Sequence, residues 1–142
     1  MKINLLKFFK IWAIFLLYVF VLDITLELLL SPENHAFISE YGWETFLQRR
    51  FFGILIFYII FNTLGSFILF RKEYEPKKMG ILSLVIAMFL EFTFMRPEWV
   101  ENIYTSSISG DTVGAFAVTT IFWFSTWYVP SYIAKRFETK RV

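Results

Sequence analysis

Among the ionisable side chains within or beside long apolar stretches of this sequence, six are best placed to do chemistry. Asp23 and Glu27 interrupt the apolar run at 11–30, and Glu91 interrupts the run at 79–95. Three arginines lie at the ends of such runs: Arg49, Arg50 and Arg96. Carboxylates in this setting can form ion pairs with arginine, bind a cation or carry a proton.

Four long apolar runs determine where these charges lie. They cover about 11–30, 51–70, 79–95 and 112–134. A helix needs about 20 residues to cross a hydrocarbon core about 30 Å thick, and lipid leaves no unpaired backbone groups. Hydrophobic residues make up 57% of the 142 residues, more than a soluble domain of this size can bury. The sequence therefore predicts an all-α integral membrane protein, a single domain over 1–142 that forms a four-helix transmembrane bundle.

The basic residues indicate the orientation of the four predicted spans. Of the 14 Lys and Arg residues, eleven lie at the N-terminus, between the second and third spans, or in the C-terminal tail. The positive-inside rule then places both termini in the cytoplasm, and we expect the protein in the plasma membrane. We expect the first span to be retained, because Asp23 follows the apolar stretch 11–22 without a small-residue cleavage pattern.

The two predicted outer connections, 31–50 and 96–111, are rich in aromatic residues. The first reads SPENHAFISEYGWETFLQRR, in which Ser31 and Pro32 suit the N-cap and first position of a helix. Both connections space their aromatic and aliphatic residues at near-helical intervals. They are predicted to form short helices in the membrane interface, with ordinary loops as the alternative.

The predicted depths of the charged residues in the membrane are similar. At about 1.5 Å per residue, Asp23 and Glu91 each lie about 18 Å from the cytoplasmic end of their span. Asp23 and Glu27 are one helical turn apart and repel each other, so they need an arginine or a proton between them. We expect the six charges to form one cluster near the outer side. It is either an ionic clamp between helices or a site for a cation or a proton.

Polar and small residues along the predicted spans indicate helix packing. Small residues four apart let a neighbouring helix approach, and the face that carries Glu91 has this spacing. We expect interhelical hydrogen bonds on these faces, with a permeation path as the alternative. The residues predicted for this packing are Tyr58, Asn62, Ser66, Ser83, Ala87 and Thr119.

Several function classes are disfavoured by what the sequence lacks. The chain has no Cys and a single histidine, His35, so thiolate and multi-histidine metal sites are excluded. No catalytic residue, metal or cofactor is predicted. The net charge of +2 gives no indication of a nucleic-acid partner.

Three functional hypotheses remain from the sequence alone. The first is an accessory or structural subunit, or a homo-oligomer, that acts through helix–helix assembly. The second is an oligomeric transporter or channel coupled to protons or cations, and the third is a membrane-embedded acid–base enzyme that acts on a lipid. The expected partners are the lipid bilayer, a membrane protein or a second copy of the chain, and anionic lipid at the cytoplasmic basic segments.

Overall fold

The structure, a computed structural model, describes residues 4–52, 56–96 and 110–139. This part of the chain is 95% helical, with five helices and no strands, so the predicted all-α fold is confirmed there. A π-helical turn, Glu91–Met95, continues the fourth helix. The helices are α1 Leu5–Leu30, α2 Pro32–Arg50, α3 Ile56–Lys72, α4 Pro76–Leu90 and α5 Gly110–Thr139.

Helix α1 extends beyond the first apolar run because its N-terminus is capped and its basic side chains near that end can reach water. The side chain of Asn4 accepts a hydrogen bond from the backbone N–H of Lys7 at 3.1 Å, which caps the first turn of α1. Pro32 then takes the first position of α2, where its missing N–H costs nothing. Helix α1 therefore begins six residues before the predicted span.

The first outer connection is helical, as the residue spacing predicted, but it is not one straight helix. Gly42 has a φ of 83° and a ψ of 164°, which only glycine adopts readily. This residue divides α2 into the pieces 32–41 and 43–50. The buried residue of α2 is Phe46, in the second piece. The helix predicted for the second outer connection falls largely on 97–109, outside the described residues.

The chain forms two compact units, Met1–Glu73 and Tyr74–Val142. In the first unit α1 and α3 pack antiparallel, because residues early in α1 contact residues late in α3. The rings of Phe8 and Phe70 are 5.7 Å apart between centroids, and the Trp12 indole N–H donates to the Thr63 hydroxyl at 2.8 Å. The buried face of α1 repeats every four residues and consists of Ile11, Phe15, Val19 and Asp23.

In the second unit α4 and α5 also pack antiparallel. Gly80 lies against the ring of Phe124, and the rings of Phe92 and Phe116 are 6.2 Å apart. Gly80 has no side chain, and this lets the aromatic ring approach the α4 backbone. Helix α5 continues through Pro130.

Within the described residues, two helical segments are long and apolar enough to cross a membrane: Leu5–Leu30 and Pro76–Met95. The described part of α3 has 17 residues, and α5 mixes its apolar residues with Thr, Trp, Tyr and Pro, which lowers its hydropathy. By length and composition these two segments are candidate membrane spans. The four-helix transmembrane bundle stays a prediction.

Replacing Gly80 by leucine should destabilise the second unit. A Cβ at this position would lie 2.7 Å from the Phe124 ring, so α4 and α5 must separate or the ring must move. We expect the free energy of unfolding in detergent to fall by about 1–3 kcal/mol. Val85→Leu, on the exposed face of the same helix, is the matched control and should leave it unchanged. Equal losses in both variants would contradict the close approach at Gly80.

Candidate functional site

Asp23 is buried in the first unit and is fully paired with Arg50. The Arg50 guanidinium donates from Nη2 to Oδ1 at 2.6 Å and from Nε to Oδ2 at 3.2 Å. The Asp23 side chain is 7% exposed and that of Arg50 is 14% exposed. Two parallel charge-assisted bonds match the planar guanidinium to the carboxylate. Both oxygens of Asp23 are therefore compensated without water.

The same arginine also reaches Glu27, one turn further along α1. Arg50 Nη2 lies 3.2 Å from Glu27 Oε1, while Oε2 accepts a hydrogen bond from the Asn34 side chain at 2.9 Å. Arg50 thus lies between two carboxylates that would otherwise repel each other. The Glu27 side chain is 31% exposed, so part of its charge is left to solvent.

Arg49, adjacent to Arg50, contacts a different part of the unit. Its guanidinium carbon is 5.2 Å from the centroid of the Phe37 ring, a cation–π geometry. Neighbouring residues on a helix point in different directions, so the two arginines cannot face the same carboxylates. In the described part of the chain, Arg49 therefore lies apart from the predicted acid–arginine cluster.

Glu91 is the buried carboxylate of the second unit, and its two oxygens have unlike surroundings. Oε1 accepts a hydrogen bond from the Trp123 indole N–H at 2.9 Å. Oε2 is 3.6 Å from Arg96 Nε, beyond hydrogen-bonding range, and has no hydrogen bond within the described residues. The Glu91 side chain is 5% exposed, whereas that of Arg96 is 44% exposed. The compensation of this charge is therefore partial.

Local sequence explains why Glu91 faces α5. Ser83, Ala87 and Glu91 are four residues apart and all three are buried. Ser83 donates to the backbone carbonyl of Trp123 at 2.6 Å, which fixes the register of α4 against α5. The helix then widens at Glu91, whose carbonyl accepts from the Arg96 N–H five residues later at 2.6 Å. Single π turns of this kind recur at functional sites.

Five of the six predicted residues form two groups of contacts, one in each unit, and Arg49 contacts the Phe37 ring instead. Asp23, Glu27 and Arg50 meet in the first unit, and Glu91 and Arg96 meet in the second. A single cluster of all six residues remains a prediction.

On the polar face predicted for the second span, the side chains of Asn62 and Ser66 donate hydrogen bonds to backbone carbonyls of α3 itself. The side-chain amide of Asn62 donates to the carbonyl of Tyr58 at 2.9 Å, and the hydroxyl of Ser66 donates to that of Thr63 at 2.8 Å. Short polar side chains in helices often bond to the preceding turn in this way. Asn62 and Ser66 are buried, and these two hydrogen bonds lie within α3, so interhelical bonds from these residues stay a prediction.

Three contacts at or near these groups were missed by the sequence reasoning. Trp12 bonds Thr63 across α1 and α3, Asn34 bonds Glu27, and Trp123 bonds Glu91. We counted the tryptophans as apolar and so overlooked their indole N–H donors. A tryptophan on another predicted span, at the same depth as a buried acceptor, would have predicted such a hydrogen bond. Thr119, predicted for packing, is half-buried and lies one turn before Trp123.

No arrangement typical of metal catalysis is present in the parts of the chain that the structure describes. Within them, no three His, Asp or Glu side chains come close enough to hold a metal ion. His35 lies with Nε2 at 2.7 Å from the carbonyl oxygen of Leu28, at the junction of α1 and α2. This histidine contacts the backbone of the preceding helix end and is exposed.

Comparison with known proteins does not supply a function. No protein-family model, no curated protein and no solved structure matches the chain at a significant level. The functional argument therefore depends on the geometry described above.

Arg50→Gln should destabilise the protein far more than Arg49→Gln. Removing Arg50 leaves the buried Asp23 and its neighbour Glu27 without their positive partner. We expect unfolding in detergent to become easier by about 3–5 kcal/mol. Arg49→Gln loses one cation–π contact and should cost at most about 1 kcal/mol.

A second substitution separates lost charge compensation from lost packing. Adding Asp23→Asn to Arg50→Gln removes the uncompensated charge, so the double variant should be more stable than Arg50→Gln alone. Thermal unfolding of the four proteins checks both expectations. Equal effects of the two arginine variants would show that the Asp23 pair does not stabilise α1 against α2.

Proposed function

We propose that this chain is an integral protein of the plasma membrane, with four spanning helices and both termini in the cytoplasm. We further propose that it acts by assembling with other membrane helices, as an accessory subunit or as a homo-oligomer. The observation that carries the proposal is the ion pairing of Arg50 on α2 with Asp23 and Glu27 on α1, which holds these two helices together.

The exposed surface of the two longest apolar helices supports a membrane location. Ile81, Val85 and Phe89 repeat every four residues along α4, and each is more exposed than buried. The opposite face of α4 carries Ser83 and Ala87, which are buried. Polar or small residues inside and large apolar residues outside suit a helix that faces lipid.

Helix pairing supports the proposed topology. In each unit an antiparallel pair of helices returns the chain to the side from which it came. Lys7 and Glu73, at the start of α1 and the end of α3, form an ion pair at 3.0 Å. If both pairs span the membrane, both termini and the 73–75 turn lie on one side, together with most of the basic residues.

Charge pairing favours an assembly role over catalysis. Arg50 ties the end of α2 to Asp23 and Glu27 on α1, which is the geometry of a structural clamp.

The start of α5 offers a surface for another helix, because the side chains of residues 113–118 are exposed on every side of the helix. Open space surrounds Gly114, and small residues of this kind permit a close approach by another membrane helix.

Basic side chains on the proposed cytoplasmic side suit anionic lipid. Lys72 and Lys77 are exposed, at the end of α3 and the start of α4. The Lys78 ammonium lies 4.3 Å from the centroid of the Tyr74 ring, an aromatic residue of the type enriched at membrane interfaces. Each such basic residue near an anionic surface contributes about 1 kcal/mol of attraction.

Single cysteines test the proposed topology directly, because the chain has none of its own. Glu40→Cys, Glu75→Cys and Glu138→Cys place one thiol on three exposed positions. A membrane-impermeant maleimide added to right-side-out vesicles should label position 40, but positions 75 and 138 only after permeabilisation. Labelling of 40 and 138 from the same side would contradict four spans with internal termini.

The proposed assembly role predicts a complex that survives mild extraction. Native mass spectrometry of the full chain, released from its own membrane, should show a mass greater than one copy. Another membrane protein indicates an accessory subunit, and a multiple of the chain mass indicates a homo-oligomer. A single chain, alone or with lipid, would contradict assembly as the function.

A further inference from the structure

We propose that Glu91 is a proton-binding site that exchanges with the solution beside Arg96. A proton adds to the Glu91 carboxylate at Oε2 and converts it to the neutral carboxylic acid, while Oε1 keeps the Trp123 hydrogen bond. This inference does not depend on the assembly role or on the number of membrane spans.

The contrast between Glu91 and Asp23 carries the proposal. The two carboxylates are equally buried, at 4% and 5% residue exposure. Both oxygens of Asp23 receive donors from Arg50, and each bond to a charged group stabilises the ionised form. At Glu91 one oxygen receives an indole N–H and the other receives no hydrogen bond within the described residues. A buried carboxylate oxygen without a donor favours protonation.

Few charges surround Glu91 on the elements that pack there. On α5, positions 113–127 include no charged residue and no titratable residue, and on α4 the same holds for 80–90. Among the described residues, the charge that faces Glu91 is the Arg96 guanidinium, with its Nε 3.6 Å from Oε2. At that distance the arginine attracts the anion without donating a hydrogen bond to it.

Arg96 also connects Glu91 to solvent. The Arg96 side chain is 44% exposed and lies directly beyond the candidate span Pro76–Met95, so its long stem can extend from the buried oxygen towards the membrane surface. The residue leaves helical geometry, with a φ of −141° and a ψ of 62°, directly after the π turn. A small movement of this side chain opens the route by which a proton reaches Oε2.

A hydrophobic carbodiimide tests the proposal in the unmodified chain, because this reagent adds to protonated carboxyl groups in apolar surroundings. The full chain in lipid vesicles is treated with dicyclohexylcarbodiimide over a series of pH values, and adducts are located by peptide mass spectrometry. We expect several-fold more adduct on Glu91 than on Asp23, and the Glu91 adduct should decline as the pH rises. Equal labelling of the two acids, or labelling of Glu91 independent of pH, would overturn the assignment.

Trp123→Phe provides a second measurement that a purely structural role would not alter. The substitution keeps an aromatic ring but removes the N–H donor to Oε1, and the ionised form loses more from this than the acid does. The pH dependence of Glu91 labelling should therefore differ from that of the unmodified chain. Trp12→Phe removes an indole bond of similar length to Thr63 in the other unit and should leave that pH unchanged. Identical pH profiles for all three proteins would also overturn the proposal.

Discussion

A carboxylate on the buried face of an apolar helix must receive donors or a proton, and this requirement shapes both units of the protein. In α1 the buried positions 11, 15 and 19 lead at four-residue intervals to Asp23. In α4 the buried positions 79, 83 and 87 lead in the same way to Glu91. Each row of buried residues thus ends in an acid, and a later arginine in the chain contacts it: Arg50 contacts Asp23, and Arg96 lies near Glu91. The cost of an uncompensated buried charge makes these pairings obligatory.

The two units meet the requirement to different degrees. Arg50 donates two hydrogen bonds to Asp23 and also forms an ion pair with Glu27, so its positive charge compensates two acids. Arg96 is more exposed and too distant from Oε2 to donate to it, and an indole supplies the remaining bond. The first arrangement suits a fixed clamp. The second leaves one oxygen of Glu91 available for a proton. The two acids can therefore differ in role, although both lie at the end of a row of buried residues.

Helix packing combines close contact at small and polar residues with buried aromatic and aliphatic side chains such as Phe15 and Trp127. Gly80 admits the Phe124 ring to the α4 backbone, and Ser83 bonds the Trp123 carbonyl one turn later. Many other large aliphatic and aromatic side chains lie on exposed faces, as Leu17 and Phe89 do. In lipid the exposed apolar surface costs nothing, so close contact and hydrogen bonding must hold the helices together. This distribution explains how a chain so rich in phenylalanine can form a defined structure.

The sequence alone determined the helical elements, since long apolar runs and four-residue spacing depend only on local geometry. It also identified Asp23 and Glu91 as acids within apolar helices, and both are buried. Only the tertiary structure decided which arginine pairs with Asp23: Arg49 and Arg50 are chemically identical, and their directions depend on the break at Gly42 and the packing of α2 on α1. It likewise decided that Trp123 bonds Glu91, because the register between two helices is set by packing at positions such as Gly80 and Ser83. Spacing along one helix is fixed by the backbone, whereas register between helices is a property of their contact.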